Sequence, residues 1–159
     1  MAGDFSFMQL AFEEAEAAAR RGEVPVGAVV VAEGRVLTRA GNRTEEQHDP
    51  TAHAEILALR AAGVALGSAR LPEADLYVTL EPCAMCAMAL LHARLRRVVY
   101  GADAVQLRGL RDVAAGQMDL VMSCREVFRA SLHPISVIGP VLEEEALAPH
   151  RLAFDGKTG

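Results

Sequence analysis

Two short stretches that have to meet in space constrain this chain more than anything else in it: His53-Ala54-Glu55 and Pro82-Cys83-Ala84-Met85-Cys86. One histidine and two cysteines three residues apart form a ligand set suited to zinc, with the fourth tetrahedral position left for water. That open position separates a catalytic zinc from a structural one. Residues i and i+3 are neighbours on a helix, so Cys83 and Cys86 share a face if a helix begins near Pro82, a residue suited to the first turn. The amides and the positive dipole end at a helix N-terminus favour the thiolates that bind metal. His53 and Glu55 are i and i+2 and would face nearly opposite ways inside a helix. They can serve one site only at the very start of a helix, where the long glutamate side chain can reach back. The fold must therefore carry two helix N-termini to the same edge of a sheet.

Other uses of these residues fit less well. Half of a zinc ribbon needs a second cysteine pair, which the sequence lacks, and a redox Cys-x-x-Cys leaves His-Ala-Glu without a role. With zinc lowering the pKa of bound water to about 7, a hydroxide nucleophile becomes available at neutral pH. Glu55, not needed as a ligand, is then placed to take a proton from that water and return it to a ring nitrogen and to a leaving amine. This predicts one zinc per chain, held by His53, Cys83 and Cys86, with Glu55 catalytic.

At 159 residues the chain is long enough for one well-buried core and short for two, so residues 1–159 are expected to form one domain with a frayed tail from about 154. No apolar run approaches a membrane span, and the N-terminus lacks a basic flank followed by an apolar core, which predicts a cytoplasmic protein with no membrane partner. Cys124, outside the motif, reads as a small buried hydrophobe. The formal net charge of −5 opposes a polyanion as a whole. The densest basic cluster, Arg94, Arg96 and Arg97, reads as a solvated helix end before it reads as a phosphate clamp.

Apolar residues Phe5, Met8, Phe12, Ala15 and Ala19 predict a first helix, capped by Asp4 or Ser6 and ended by Gly22. The β-branched run Val26 to Val31 predicts a strand covered on both faces, with Glu33-Gly34 turning it into a hairpin partner over Val36 to Ala40. The polar stretch Asn42 to Pro50 reads as a pocket wall. Helices are predicted over Ala54 to Ala62, closed by Gly63, and over Cys83 to Ala93, with strands at Leu76 to Leu80 and Arg97 to Tyr100. Further on the pattern predicts a loop over Ala102 to Gly116, a helix over Gln117 to Leu132, a strand at Ile135 to Ile138, and a short helix Leu142 to Ala148 stopped by Pro149. Helix-separated strands of this kind indicate an α/β fold whose sheet has parallel pairs and helices on both faces.

Asn42, the run His48 to Glu55, the strand Leu76 to Leu80, Glu81 to Cys86 and Val98-Val99-Tyr100-Gly101 closely resemble the cytidine/deoxycytidylate deaminase superfamily. Within it, Glu23-Val24-Pro25-Val26-Gly27-Ala28 adds a likeness to bacterial tRNA adenosine deaminases, and the whole likeness covers roughly residues 5 to 101. The resemblance implies a three-layer α/β/α sandwich around a five-stranded mixed sheet, and a homodimer or larger assembly. It implies zinc on His53, Cys83 and Cys86, with Glu55 as proton shuttle. Asn42 would hydrogen-bond substrate, and Val26 and Ala28 would wall the base pocket. The backbone amide of Cys83 and the carbonyl of Leu80 or Glu81 would bracket the reacting amine and water, and Glu81 and Pro82 would belong to the substrate-binding set.

The C-terminal third departs from that pattern. Where tRNA adenosine deaminases carry a Lys-Thr-Gly motif, this chain reads Ala102-Asp103-Ala104-Val105-Gln106-Leu107-Arg108, and Glu143-Glu144-Glu145 stands in place of a basic helix. Together with the acidic charge, this favours a small-molecule substrate, a purine-type free base or nucleoside deaminated with release of ammonia. Asp103, Asp112 and Asp119 are candidate readers of its N–H groups. The alternative is deamination of the wobble adenosine in tRNA, and a lesser one is a non-catalytic zinc-binding partner subunit. Retention of Glu55 argues against the last.

Overall fold

The computed structural model describes residues 2–110 and 122–155. In chain order they form helix α1 (Ala2–Arg20), strands β1 (Gly27–Ala32) and β2 (Arg35–Gly41), helix α2 (Ala54–Leu66), strand β3 (Ala74–Leu80), helix α3 (Ala84–His92), strand β4 (Arg97–Ala102), helices α4 (Ala104–Leu110) and α5 (Cys124–Arg129), strand β5 (Ser136–Ile138) and helix α6 (Glu143–Asp155). The five strands make one mixed sheet in the order β2-β1-β3-β4-β5. β1 pairs antiparallel with both β2 and β3, while β3-β4 and β4-β5 are parallel. The parallel pairs are the ones joined through helices, because a parallel crossover needs the length of a helix to return.

Period-two alternation sorts the central strands into two cores. Ala28 and Val30 of β1, Leu76 and Val78 of β3, and Val98 and Tyr100 of β4 face one layer, built from Ala54, Ala58 and Ala62 of α2, Ala87 and Leu90 of α3, and Phe128 of α5. Val29, Val31, Tyr77 and Val99 face the other, built from Met8, Ala11 and Phe12 of α1 and Ala146 and Leu147 of α6. The result is the expected five-stranded α/β/α sandwich, and the β-branched run Val29 to Val31 is buried on both faces as its composition requires. Among the described residues, no helix is long and apolar enough to cross a membrane.

Several boundaries differ from the sequence expectation. The buried stripe of α1 is Met8, Ala11, Phe12, Ala15 and Ala18, with Phe5 and Ala19 exposed, so the helix is rotated from the predicted face. α2 runs past Gly63 to a left-handed Gly67, closed by Ser68 N–H to Gly63 O at 3.0 Å and Gly67 N–H to Val64 O at 3.3 Å. This 6→1 and 5→2 pairing is a Schellman stop, and it requires the glycine after the helix, not the one inside it. α6 likewise continues through Pro149, since Ala146 and Leu147 bury against the sheet on the same helix. The predicted loop after Ala102 contains α4, and of the predicted helix Gln117 to Leu132 only Cys124–Arg129 is helical in the described part, with Leu132 almost fully exposed. Residues 111–121, which include Asp112 and Asp119, and the tail 156–159 lie outside the described residues, while 154 and 155 belong to α6.

The arginines after α3 are not a free basic cluster. Arg96 donates to both carboxylate oxygens of buried Asp75 at 2.9 and 2.7 Å, and Arg97 donates to Asp4 at 3.0 Å and to the Tyr77 hydroxyl at 2.8 Å. The Tyr77 hydroxyl in turn donates to Asp4 at 2.6 Å, tying α1 to the sheet.

Gly27 shows how closely α1 lies on β1: a Cβ there would stand 2.0 Å from Ala11 O and 2.6 Å from Ala15 N. These are helix backbone atoms that cannot move singly. Gly27→Ala is expected to destabilise the fold by about 1–3 kcal/mol or more. Gly3→Ala, whose Cβ meets only Phe7 Cε2 at 3.8 Å, should be neutral or stabilising by up to about 1 kcal/mol. Urea unfolding of both variants checks the contrast.

Candidate active site

His53 and Cys83 occupy equivalent places, each the N-cap of a helix on the same face of the sheet, with extended backbone at φ −70°, ψ 153° and φ −71°, ψ 172°. The His53 side chain makes no capping bond to α2, which leaves its ring for other work. Its Nδ1 lies 3.8 Å from Cys83 Sγ and 3.6 Å from Cys86 Sγ. A zinc ion roughly 2.3 Å from sulfur and roughly 2.0 Å from nitrogen, at tetrahedral angles, holds nitrogen and sulfur about 3.6 Å apart. The three side chains therefore already have the spacing that a His/Cys/Cys zinc demands, and all three ligand atoms lie within 4.8 Å of one another.

The electrostatics are those of a compact, partly desolvated cluster. The hydrogen bond with Cys86, helped by His53 and opposed by burial, holds the Cys83 thiol down at about 4. Cys86 is pushed the other way, first by its bond to Cys83 and then by burial, so one of the two sulfurs carries the charge and the other the proton. The bond to Cys83 raises His53. Burial pushes Glu55 up to about 7, with the Cys83 charge adding to it. A carboxyl in this range exchanges protons readily in both directions at neutral pH.

These groups open onto a cavity of 510 Å³, within the size range of small-molecule and base pockets. Of the residues expected there from sequence, Val26, Asn42, Glu81 and Pro82 line it beside His53, Glu55 and Cys83. Ala28 does not: it is fully buried in the core behind the wall, because Val26 precedes β1 whereas Ala28 is already inside the sheet. Glu81 lines the cavity, but its carboxylate is engaged elsewhere. It accepts from Ala104 N–H at 3.1 Å, from the Ser123 hydroxyl at 2.6 Å and from Cys124 N–H at 3.3 Å. Glu81 thus caps the starts of α4 and α5 from a distance and ties both to the strand end that precedes Cys83. Asp103 does not line the cavity; it accepts a hydrogen bond from the Tyr100 hydroxyl.

Thr44 comes from the 42–50 stretch expected to wall the pocket. The sequence singles out no individual wall residue in the C-terminal third, where Ala104, Leu107 and Met122 reach the cavity, nor Val24 and Met85. Leu107 sits on a seven-residue helix whose first N–H is satisfied by Glu81, 23 positions away, while Asp103 just before it takes the Tyr100 hydroxyl. The Glu23 carboxylate, which holds Asn42, also went unnoticed, since nothing local in Glu23-Val24-Pro25 marks a buried acid.

Residues 1–102 match the cytidine and deoxycytidylate deaminase zinc-binding region. The chain is 61% identical over 103 residues to a tRNA-specific adenosine deaminase of Agrobacterium fabrum, covering 65% of this chain and 68% of that protein. A solved structure from work on A-to-I editing by tRNA:A34 deaminases at the wobble position superposes with a TM-score of 0.78 at 46% identity, covering 91% of this chain and 99% of that one. A guanine deaminase structure from Bacillus subtilis superposes with a TM-score of 0.62 at 30% identity, covering 94% and 92%. The second match is too long to stop at residue 101, so the likeness runs into the third that departs in sequence motif. The match over most of the chain, falling on the two helix starts that gather His53, Cys83 and Cys86, shows that the protein belongs to the cytidine and deoxycytidylate deaminase zinc-binding family.

Proposed function

We propose that the protein is a hydrolytic deaminase converting adenosine to inosine at the wobble position of tRNA, with one zinc per chain held by His53, Cys83 and Cys86. The observation that carries the substrate is the likeness to an A34 deaminase structure at 46% identity over 91% of the chain. It outweighs the acidic composition, which favoured a free base or nucleoside. The three glutamates at 143–145 stand in the first turn of α6, in the layer on the opposite face of the sheet from α2 and α3, and Glu144 is paired with Arg151 at 2.8 Å. Glu144 is thereby partly neutralised within its own helix.

When bound, zinc supplies the Lewis acidity that makes a water nucleophilic near neutral pH. The protein's own groups do the rest. A base inside a stacked strand cannot reach a pocket of this kind, so the target nucleotide swings out of its loop, at a cost least where it is already unpaired. Val24, Val26 and Met122 enclose it with apolar surface, while Asn42 supplies a polar contact. Glu55 takes one proton from the attacking water to the ring nitrogen, where it stays in inosine, and carries the second, from the added hydroxyl, to the departing amine. Water and adenosine give inosine and ammonia, and Glu55 ends as it began.

A second reading, hydrolysis of a free purine such as guanine, is favoured by the guanine deaminase likeness at 30% identity. A homodimer fits either reading, since α3 leaves Met85 and Met88 exposed and α2 leaves Val64 and Leu66 exposed on the site's side of the sheet.

Ammonia release from free bases, nucleosides and an anticodon stem-loop separates the readings. Turnover of the stem-loop with no turnover of free adenosine or guanine is the expected result; turnover of free guanine alone would replace the tRNA reading. Glu55→Ala should lower kcat by about 10²–10⁴-fold. Metal analysis should give one zinc per chain in wild type and in Glu55→Ala, and loss of the metal in Cys83→Ala.

A further inference from the structure

Glu23 is 5% exposed and stands between α1 and β1. No arginine, lysine or histidine among the described residues is paired with it. Its carboxylate instead accepts three N–H groups: Oε1 from the Glu46 amide at 2.8 Å, and Oε2 from the Glu45 amide and from Asn42 Nδ2, each at 3.1 Å. Asn42 Nδ2 also donates to Thr44 Oγ1 at 3.1 Å. Asn42 and Thr44 both line the cavity, alongside His53 and Glu55.

The consequence is a fixed amide. Both Nδ2 hydrogens are committed, and turning the amide over would set Asn42 Oδ1 against a carboxylate oxygen, two acceptors face to face. Asn42 is therefore left with its carbonyl oxygen as the group it can offer to the pocket. Leaving a buried acceptor with a wrong partner is costly, so a charged carboxylate enforces this orientation more firmly than a neutral side chain would. The same carboxylate pins the backbone at 45 and 46, and with it the wall that runs from Asn42 towards His53.

We propose that Glu23 is a positioning residue for substrate selection, holding the Asn42 amide so that the pocket presents an acceptor to a substrate donor, a base N–H or a ribose hydroxyl. The inference rests on the reading of Asn42 as a substrate contact. Glu23 acts through Asn42 and has no part in the chemical step. It should therefore govern KM and leave kcat nearly untouched, and once Asn42 is removed only the smaller part that passes through the 45–46 backbone should remain.

The test is a double-mutant cycle of Glu23→Gln and Asn42→Ala, reading KM and kcat on the anticodon stem-loop, or on the nucleoside or base if that is what wild type turns over. Glu23→Gln keeps the shape but lets the amide turn, and is expected to raise KM about tenfold with kcat within about threefold of wild type. In the Asn42→Ala background the same substitution should change KM by less than about twofold. Thr44→Val, which removes the other Nδ2 acceptor and leaves the carboxylate in place, should also raise KM and should also lose its effect without Asn42. Zinc content and the unfolding midpoint are measured on every variant. If Glu23→Gln and Thr44→Val multiply with Asn42→Ala, or lower kcat while sparing KM, the positioning role is wrong and Glu23 is only a loop anchor. If Asn42→Ala itself leaves KM unchanged, the reading of Asn42 fails and the inference falls with it.

Discussion

The meeting of two helix N-termini is the contact on which the rest of the site depends. α2 and α3 lie on the same face of the sheet, and each has a ligand residue in extended backbone at its N-cap, so His53 Nδ1 stands 3.6 Å from Cys86 Sγ and 3.8 Å from Cys83 Sγ. The strand order β2-β1-β3-β4-β5 makes this possible. β3 leads directly into Cys83, while the hairpin of β1 and β2 feeds the 42–50 wall that ends at His53. Neither helix start has a side-chain N-cap of the ordinary Ser, Thr, Asp or Asn type. The cap positions have been given to metal-binding side chains, whose own stability then rests on the packing of α2 and α3 beneath them.

Three buried glutamates surround the cavity, and their partners give them different work. Glu23 and Glu81 each accept three hydrogen bonds, mostly from backbone amides, and so act as internal braces. Glu55 sits among sulfurs and the imidazole, and burial pushes it up to about 7. A carboxylate surrounded by backbone donors serves as a brace, whereas one pushed up by burial beside the metal-binding side chains is suited to proton exchange. The same residue type thus braces the pocket walls in two places and stands beside the ligand set in a third.

The ligand set, Glu55 and the sheet with helices on both faces were legible because each has a local signature: fixed spacing at a helix start, or a β-branched run between turn residues. What was not legible depends on distant partners. α4 begins on an N–H satisfied by Glu81, so Ala104 to Leu110 looks like loop. Glu81 lines the cavity as its position relative to Cys83 suggests, but the three hydrogen bonds its carboxylate accepts are invisible in sequence. Gly63 reads as a C-cap in sequence, and only the left-handed φ of 65° at Gly67 shows that the helix stops four residues later. Arg96 and Arg97 read as solvated for the same reason: Asp75 and Asp4, their partners, lie 21 and 93 positions away.

Net charge says little about the substrate for a related reason. A value of −5 is a sum over the whole surface, whereas a bound strand meets only the ground around the pocket. α6 carries Glu143, Glu144 and Glu145 at its start, with Ala146 and Leu147 packed into the α1-side core, and it also packs against α4, whose Ala104 and Leu107 line the cavity. Substrate choice is then left to the few residues that wall the cavity, and these come from three separate parts of the sequence: the approach to β1, the 42–50 wall, and the segment beyond β4 that Glu81 holds to the zinc-side loop.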